Sequence, residues 1–197
     1  MSQDLPTDAQ DAGLYTWANL VTLIRLALIP VFIVLAVEQH YAVAAWLLGF
    51  IGATDWVDGQ LARRLSQVSS MGKIIDPVAD RILVVSAVIV TLCVGAVPLW
   101  FGIATLAREI LISITVVTLA SLGARRIDVL FIGKAGAMAL MFAYPMFLLA
   151  FGPEGWQRVL SDAAWVLGIA GLALSWAAFG AYVSPAREAL RSGRNVA

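Results

Sequence analysis

The chain has 197 residues, of which 61% are hydrophobic and only 13% are charged, and its formal net charge is zero. Its mean hydropathy of +0.88 is far above that of a water-soluble domain, which excludes a soluble globular protein. Several apolar runs reach the length of about 20 residues that a helix needs to cross a bilayer. The composition therefore predicts an all-α integral membrane protein, a bundle of six transmembrane helices, with no indication of a nucleic-acid partner.

The spans are predicted from the apolar runs and from the turns between them. The first residues are polar and lack the positively charged start of a signal peptide, so we expect a disordered tail over 1–13. The six-helix domain then covers 14–185, and a basic tail covers 186–197. The predicted spans are Trp17–Val37, Ala42–Val57 with a helical extension to Arg64, Asp76–Val97, Leu99–Leu122, Ile132–Phe151 and Leu160–Val183.

The first span carries a cation, Arg25, inside its apolar run. A charged side chain at membrane depth needs a partner or a polar cavity. Arg25 is therefore expected either to extend toward the lipid head groups or to reach into a functional site.

The stretch between the second and third spans holds four aspartates. Asp55 and Asp58 are three residues apart, and Asp76 and Asp80 are four apart, spacings that place side chains on one face of a helix. Converging carboxylates repel one another unless cations bind between them, and Mg²⁺ and Mn²⁺ prefer such oxygen ligands. The pattern predicts a site for two divalent cations about 3.5–4 Å apart. In the polar connector of this stretch, Gly72 is expected to permit a tight turn.

The later spans contain further charges and several small residues. Arg108 with Glu109 in the fourth span is either a buried ion pair or part of a pocket for an anionic acceptor. Lys134, near the start of the fifth span, is either an interfacial anchor or another cation of that pocket. Small residues such as Gly52 and Gly171 would let neighbouring helices approach closely.

The distribution of basic residues predicts the orientation. Six spans place both termini on one side of the membrane, and loops rich in Lys and Arg face the cytoplasm. The three turns on the other side hold only Arg158. Both termini and the acidic stretch are therefore predicted to face the cytoplasm of a bacterial cell. The basic residues on that side are Arg63, Arg64, Lys73, Arg125, Arg126, Arg187, Arg191 and Arg194.

The aspartates belong to a longer pattern with eight fixed positions. It reads Asp55-x2-Asp58-Gly59-x2-Ala62-Arg63-x8-Gly72-x3-Asp76-x3-Asp80. This pattern matches without a gap the signature of the CDP-alcohol phosphotransferase (CDP-alcohol phosphatidyltransferase) family. The segments NLVTLIRLALIP, LAREILI and GKAGA also resemble bacterial members that make phosphatidylglycerophosphate or cardiolipin, so the resemblance covers residues 17–183.

The resemblance implies a homodimer of six-helix chains with the site at the cytoplasmic face. In the implied reaction, an acceptor hydroxyl attacks the β-phosphorus of CDP-diacylglycerol and CMP leaves. Asp80 is the implied general base, and the metal ions would lie among Asp55, Asp58, Asp76 and Asp80. The implied CDP-binding positions are Asp55, Asp58, Gly59, Ala62, Arg63 and Gly72.

The chemistry of the residues agrees with these implied roles. A pyrophosphate is a polyanion that metal ions can neutralise. Asp80 lies last in the cluster, one turn deeper in the third span, where a carboxylate can take the proton of an attacking hydroxyl. Gly59 and Ala62 leave room for a nucleotide against the helix, and Arg63 can hold a phosphate through two hydrogen bonds.

The sequence leaves the acceptor open. Glycerol-3-phosphate carries a phosphate dianion, for which Arg25, Arg108 and Lys134 could form a cationic pocket, and this favours phosphatidylglycerophosphate synthesis. Family members of that type carry a second arginine further along the fourth helix, where this chain has Val116. Cardiolipin synthesis with phosphatidylglycerol as acceptor is therefore the alternative, and an inositol phosphate is a third option.

Two other classes of protein predict different patterns. A cation transporter would carry polar residues deep in several spans and broken helices in matching halves, whereas these acids gather at one mouth of the bundle. A catalytically silent scaffold would have lost acids from the cluster, and all four are present.

Overall fold

The structure, a computed structural model, describes residues 17–65, 72–121, 131–152 and 157–194, and the side chains of 21–54, 78–115, 118, 132–152 and 157–181. Over these residues the chain forms six α-helices and no strand, which confirms the prediction of an all-helical fold. The helices are α1 (Trp17–Val37), α2 (Tyr41–Leu65), α3 (Gly72–Cys93), α4 (Leu99–Ser121), α5 (Phe131–Phe151) and α6 (Gln157–Arg194).

Two helices differ clearly in their bounds from the predicted spans. The third helix is shifted by four residues: it begins at Gly72 instead of Asp76 and ends at Cys93 instead of Val97, so Gly72 opens a helix where a tight turn was predicted. The sixth helix ends at Arg194 instead of Val183, because the residues beyond the apolar run are mostly strong helix formers such as Ala, Glu, Leu and Arg.

The turn between α3 and α4 begins after Cys93, earlier than the predicted end of the third span at Val97. Gly95 has a φ of +82°, a left-handed conformation that costs glycine little and other residues more. The Gly95 and Ala96 amides donate to carbonyl oxygens in the last turn of α3, which satisfies groups that the helix end would leave unpaired. This turn returns the chain along the bundle as an antiparallel neighbour.

The closest helix pair is α5 with α6, which run antiparallel. A methyl group added at Gly136 would lie 2.5 Å from Ser175 Oγ and 2.9 Å from the Gly171 carbonyl oxygen, so the two backbones almost touch. Small residues permit this approach, as the sequence predicted. The second helix packs on the other side of α5, again antiparallel, with Tyr41 against Phe151 at a ring distance of 5.2 Å.

The bundle has chemically different ends. At one end, Phe101, Phe147 and Trp165 from α4, α5 and α6 pack ring against ring at 5.1–5.6 Å. The acidic positions lie toward the other end, where α2 finishes and α3 begins. The aromatic cluster therefore holds together the end of the bundle that is remote from the candidate site.

Within the described residues, two helical segments are long and apolar enough to cross a membrane. They are Ile132–Phe151, with a mean hydropathy of 1.5, and Gln157–Ala181, with 1.7. Shorter apolar segments occupy Val21–Val37 in α1 and Tyr41–Thr54 in α2. The helical architecture is thus established, and the six membrane spans stay a prediction.

Candidate functional site

The four aspartates lie on continuous helix. The α2 backbone is helical through Asp55 and Asp58, and the α3 backbone is helical through Asp76 and Asp80. This helical backbone is what the spacing argument requires for each pair to share one helix face. The side chains of several predicted site residues fall outside the described residues, so their convergence stays a prediction; these are Asp55, Asp58, Gly59, Ala62, Arg63, Gly72 and Asp76.

Asp80 is the acidic residue of the motif whose side chain is described, and it pairs with Arg25. The Arg25 Nη1 atom donates to Asp80 Oδ1 at 2.9 Å. The Arg25 side chain is 4% exposed and the Asp80 side chain 45% exposed. Of the two interpretations of Arg25, the structure thus supports the one in which it reaches the site. The contact links α1 to the helix that carries the predicted base.

Arg108 and Glu109 form the predicted ion pair inside α4. Arg108 Nη1 donates to Glu109 Oε1, and the two side chains are 8% and 14% exposed. Arg108 Nε is buried and has no hydrogen-bond partner among the described residues. A neighbouring carboxylate therefore already balances most of the charge of this guanidinium.

Lys134 is exposed near the start of α5. In the antiparallel α2–α5 pair, Gly49 faces Pro145 and Gly52 faces Met141. Continuing this register places Lys134 level with the part of α2 that carries Asp58. The lysine is therefore close in height to the motif, but no described contact joins it to Arg25 or Arg108.

A cleft between α2, α3, α4 and α5 opens one helical turn beyond Asp80. Its walls are apolar except for Glu109 and Tyr144, and the Tyr144 hydroxyl donates to Thr105 Oγ1 at 2.8 Å. This hydrogen bond was not predicted, although a tyrosine within an apolar span is a recognisable signal because its hydroxyl needs a partner when buried. The lining residues are Leu48, Leu83, Val84, Ala87, Glu109, Ala137, Leu140, Met141 and Tyr144.

The donor set of the motif fits a hard divalent cation. Carboxylate oxygens are the ligands that Mg²⁺ and Mn²⁺ select, and helical spacing on two adjacent chain segments can bring such oxygens together. Among the described side chains no group of three or more His, Cys, Asp or Glu residues gathers. Apart from Asp80, the expected ligands are not among the described side chains. The predicted cation site therefore rests on the spacing and the chemistry of the residues.

Comparison with known proteins assigns the family. Residues 15–177 match the model of the CDP-alcohol phosphatidyltransferase family. The chain is 37% identical to a Mycobacterium tuberculosis protein provisionally named a cardiolipin synthase, over 82% of this chain and 78% of that protein. It is 33% identical to the cardiolipin synthase (CMP-forming) of Streptomyces coelicolor, over 94% of this chain and 89% of that protein.

A third relative is named for the other predicted acceptor, glycerol-3-phosphate. The CDP-diacylglycerol–glycerol-3-phosphate 3-phosphatidyltransferase of Pectobacterium atrosepticum is 37% identical, over 87% of this chain and 95% of that protein. The resemblance read from the acidic motif is therefore confirmed. With a family match that spans most of its length and relatives aligned almost end to end, this chain belongs to the CDP-alcohol phosphatidyltransferase family.

Proposed function

We propose that the protein transfers the phosphatidyl group of CDP-diacylglycerol to the hydroxyl of a glycerol-type acceptor and releases CMP. The observation that carries this proposal is the acidic motif, complete in all eight fixed positions and lying on the helical backbone of α2 and α3. The names of the relatives support the same reaction class. The apolar cleft beside Asp80 suits a donor that is itself a lipid, because the first methylene groups of its acyl chains need an apolar surface.

Each part of the motif has a role in this reaction. Two divalent cations held by Asp55, Asp58, Asp76 and Asp80 would neutralise the pyrophosphate and stabilise the departing CMP. Gly59 and Ala62 leave space for the nucleotide along α2, and Arg63 holds a phosphate oxygen pair. Asp80, one turn closer than Asp76 to the apolar cleft, accepts the proton of the attacking hydroxyl.

The charges around the cleft favour phosphatidylglycerol as the acceptor. A glycerol-3-phosphate dianion needs uncompensated cations, but Arg25 and Arg108 each already face a carboxylate. The chain also carries Val116 in place of a further arginine. The phosphodiester of phosphatidylglycerol carries a single charge and arrives through the membrane, so it needs less cationic binding energy.

Glycerol-3-phosphate, the acceptor that the sequence favoured, is the second candidate. The Pectobacterium relative, aligned over 95% of its own length, is named for it. Exposed Lys134 is level with the motif and is the cation from which a pocket for a free phosphate would be built.

One assay decides between the acceptors. Purified protein in mixed micelles receives CDP-diacylglycerol, Mn²⁺ and either phosphatidylglycerol, glycerol-3-phosphate or an inositol phosphate, and CMP release is measured. We expect release with phosphatidylglycerol, and loss of release in EDTA. Release with glycerol-3-phosphate alone would move the assignment to the second candidate, and no release with any acceptor would contradict the proposed function. A chain with Asp162→Ala, an exposed acid outside the motif, is the matched control.

We also propose that all six helices cross the membrane and that two copies associate. Each helix carries at least one large apolar side chain that is 48% or more exposed. Such a surface is unfavourable in water and is favourable in contact with lipid. These side chains include Leu23, Trp46, Val78, Leu99, Phe142 and Val166. The positive-inside distribution supports cytoplasmic termini. The homodimer rests on the family resemblance, and crosslinking in native membranes tests it.

A further inference from the structure

Arg25 lies on α1, whereas the acidic motif lies on α2 and α3. Its position on α1 continues the stripe of Ile29, Phe32 and Ala36, all at most 4% exposed, which faces the core. The guanidinium itself is 4% exposed, whereas the side chain of its partner Asp80 is 45% exposed. The cation is thus enclosed by protein, and the carboxylate lies at the edge of the open site.

This difference in exposure determines which of the two side chains fixes the orientation of the other. A guanidinium cannot give up its proton, so a buried arginine stays charged and must keep a fixed arrangement of acceptors. Packing on the core face of α1 leaves Arg25 few alternative rotamers. A half-exposed aspartate has several staggered rotamers available. The hydrogen bond of 2.9 Å from Arg25 Nη1 to Oδ1 therefore selects one orientation of the Asp80 carboxylate.

We propose that Arg25 is a positioning residue that fixes the Asp80 carboxylate in its reactive orientation. The inference rests on the proposed function, in which Asp80 accepts the proton of the acceptor hydroxyl. A group that takes a proton in the transition state must be held within about 0.5 Å of its productive geometry. The first helix thereby takes part in the reaction through Arg25. In this role Arg25 contacts neither the acceptor phosphate nor the nucleotide.

The first test replaces Arg25 by methionine, which keeps the unbranched stem and removes the charged fork. We expect kcat to fall about 10- to 100-fold, because a misplacement near 1 Å costs about that much, while KM for both substrates stays unchanged. Arg25→Lys restores a cation without the planar fork and is expected to recover part of kcat. Arg158→Met, at an exposed arginine at the start of α6, is the matched control and is expected to turn over at the wild-type rate.

A double-mutant cycle distinguishes positioning from acceptor binding. Asp80→Asn alone is expected to lower turnover about 10²- to 10⁴-fold. If Arg25 acts only through Asp80, Arg25→Met adds no further loss to single-turnover CMP release in the Asp80→Asn chain. A full further loss in that chain, or a raised acceptor KM with unchanged kcat in Arg25→Met, would overturn the inference.

Different results would contradict the assignment of Asp80 as the base and the positioning role of Arg25. Wild-type turnover by Asp80→Asn contradicts the base assignment itself. Loss of turnover in Asp80→Asn together with an independent effect of Arg25→Met contradicts only the role of Arg25. If Arg25→Met does not fold, Arg25→Lys carries the test: a lower kcat at unchanged KM supports positioning, and a raised acceptor KM contradicts it.

Discussion

Single residues show how this protein uses charge within an apolar bundle. Arg25 and Arg108 are both enclosed, and each is compensated by a carboxylate, one on another helix and one next in sequence. Removing the Glu109 carboxylate would leave Arg108 buried without its charge partner, which is far more costly than the pair is stabilising. Asp80 differs because it is half exposed and can face both its arginine and a ligand.

Nucleotide binding tests the carboxylates nearest the proposed cations. We expect CDP to raise the thermal unfolding temperature of the wild-type chain in Mg²⁺ or Mn²⁺ and not in EDTA, because binding to the folded state alone stabilises it. Asp58→Ala is expected to abolish this shift, since one carboxylate of the cation site is gone. Differential scanning fluorimetry in detergent measures it, and Asp162→Ala should behave as wild type. A wild-type, metal-dependent shift in Asp58→Ala would show that the cation geometry is wrong.

The partner of Arg25 could not be predicted from the sequence. The sequence showed that a buried cation needs an acceptor, but Asp80 is 55 residues away and is brought close only by the packing of α1 on α3. The Arg108–Glu109 pair was predictable because its partners are adjacent. The Tyr144–Thr105 hydrogen bond, again between two helices, depends on the same tertiary packing.

The α5–α6 pair shows at the scale of helices how small residues set an interhelical distance. Around Gly136 the nearest atoms include backbone, namely Ser175 N at 2.8 Å and Gly171 O at 2.9 Å from the place of an added methyl group. Backbone cannot move aside as a flexible side chain would. Ser175 Oγ is buried in the same contact and has no hydrogen-bond partner among the described residues.

Substitutions in this contact should have opposite effects. Gly136→Ala is expected to destabilise the chain by about 1–3 kcal/mol, because the helices must separate. Ser175→Ala removes an unsatisfied hydroxyl without adding volume, so it is expected to be neutral or stabilising by about 1 kcal/mol. Unfolding in detergent with increasing denaturant measures both. Gly180→Ala is the matched control because nothing lies within 4 Å of its added methyl group; equal effects at Gly136 and Gly180 would contradict tight packing.

Helix boundaries were predictable where hydropathy and turn chemistry change together. Pro98 precedes the start of α4 at Leu99, which was predicted, whereas α3 ends at Cys93, before Gly95, instead of at the predicted Val97. The end of α6 was missed because hydropathy reports where an apolar run stops, whereas helix propensity continues through Arg187 and Arg191. The start of α3 was missed because the polar connector that contains Gly72 was taken to extend as far as Asp76.

Over the whole molecule, the two ends of the bundle differ in chemistry. The aromatic cluster of Phe101, Phe147 and Trp165 closes one end, and the backbone that carries the acidic motif lies toward the other, where α2 ends and α3 begins. In the proposed function, a water-soluble nucleotide reaches the second end and a lipid acceptor reaches the cleft from within the bilayer. We therefore expect the motif end to face the compartment that holds CDP-linked lipids and cations.

Orientation can be tested with single cysteines introduced after Cys93→Ala, since Cys93 is an exposed free cysteine. We expect a membrane-impermeant maleimide to label Glu38→Cys, in the exposed turn between α1 and α2, on intact cells. Ser192→Cys, near the end of α6, should react only after the cells are opened, because arginine-rich segments stay in the cytoplasm. Labelling of Ser192→Cys and not Glu38→Cys on intact cells would reverse the topology.

The length of α6 has a mechanical consequence. At about 1.5 Å per residue its 38 residues extend about 57 Å, nearly twice the hydrocarbon thickness of about 30 Å. At the average tilt of transmembrane helices, about 20°, a rod of that length extends beyond the hydrocarbon layer, so we expect one end to emerge into water. A fluorescent reporter fused directly after Arg194 would therefore be carried by a helix that continues from the bundle, and the decay of its polarisation would report how fast the protein tumbles in the bilayer.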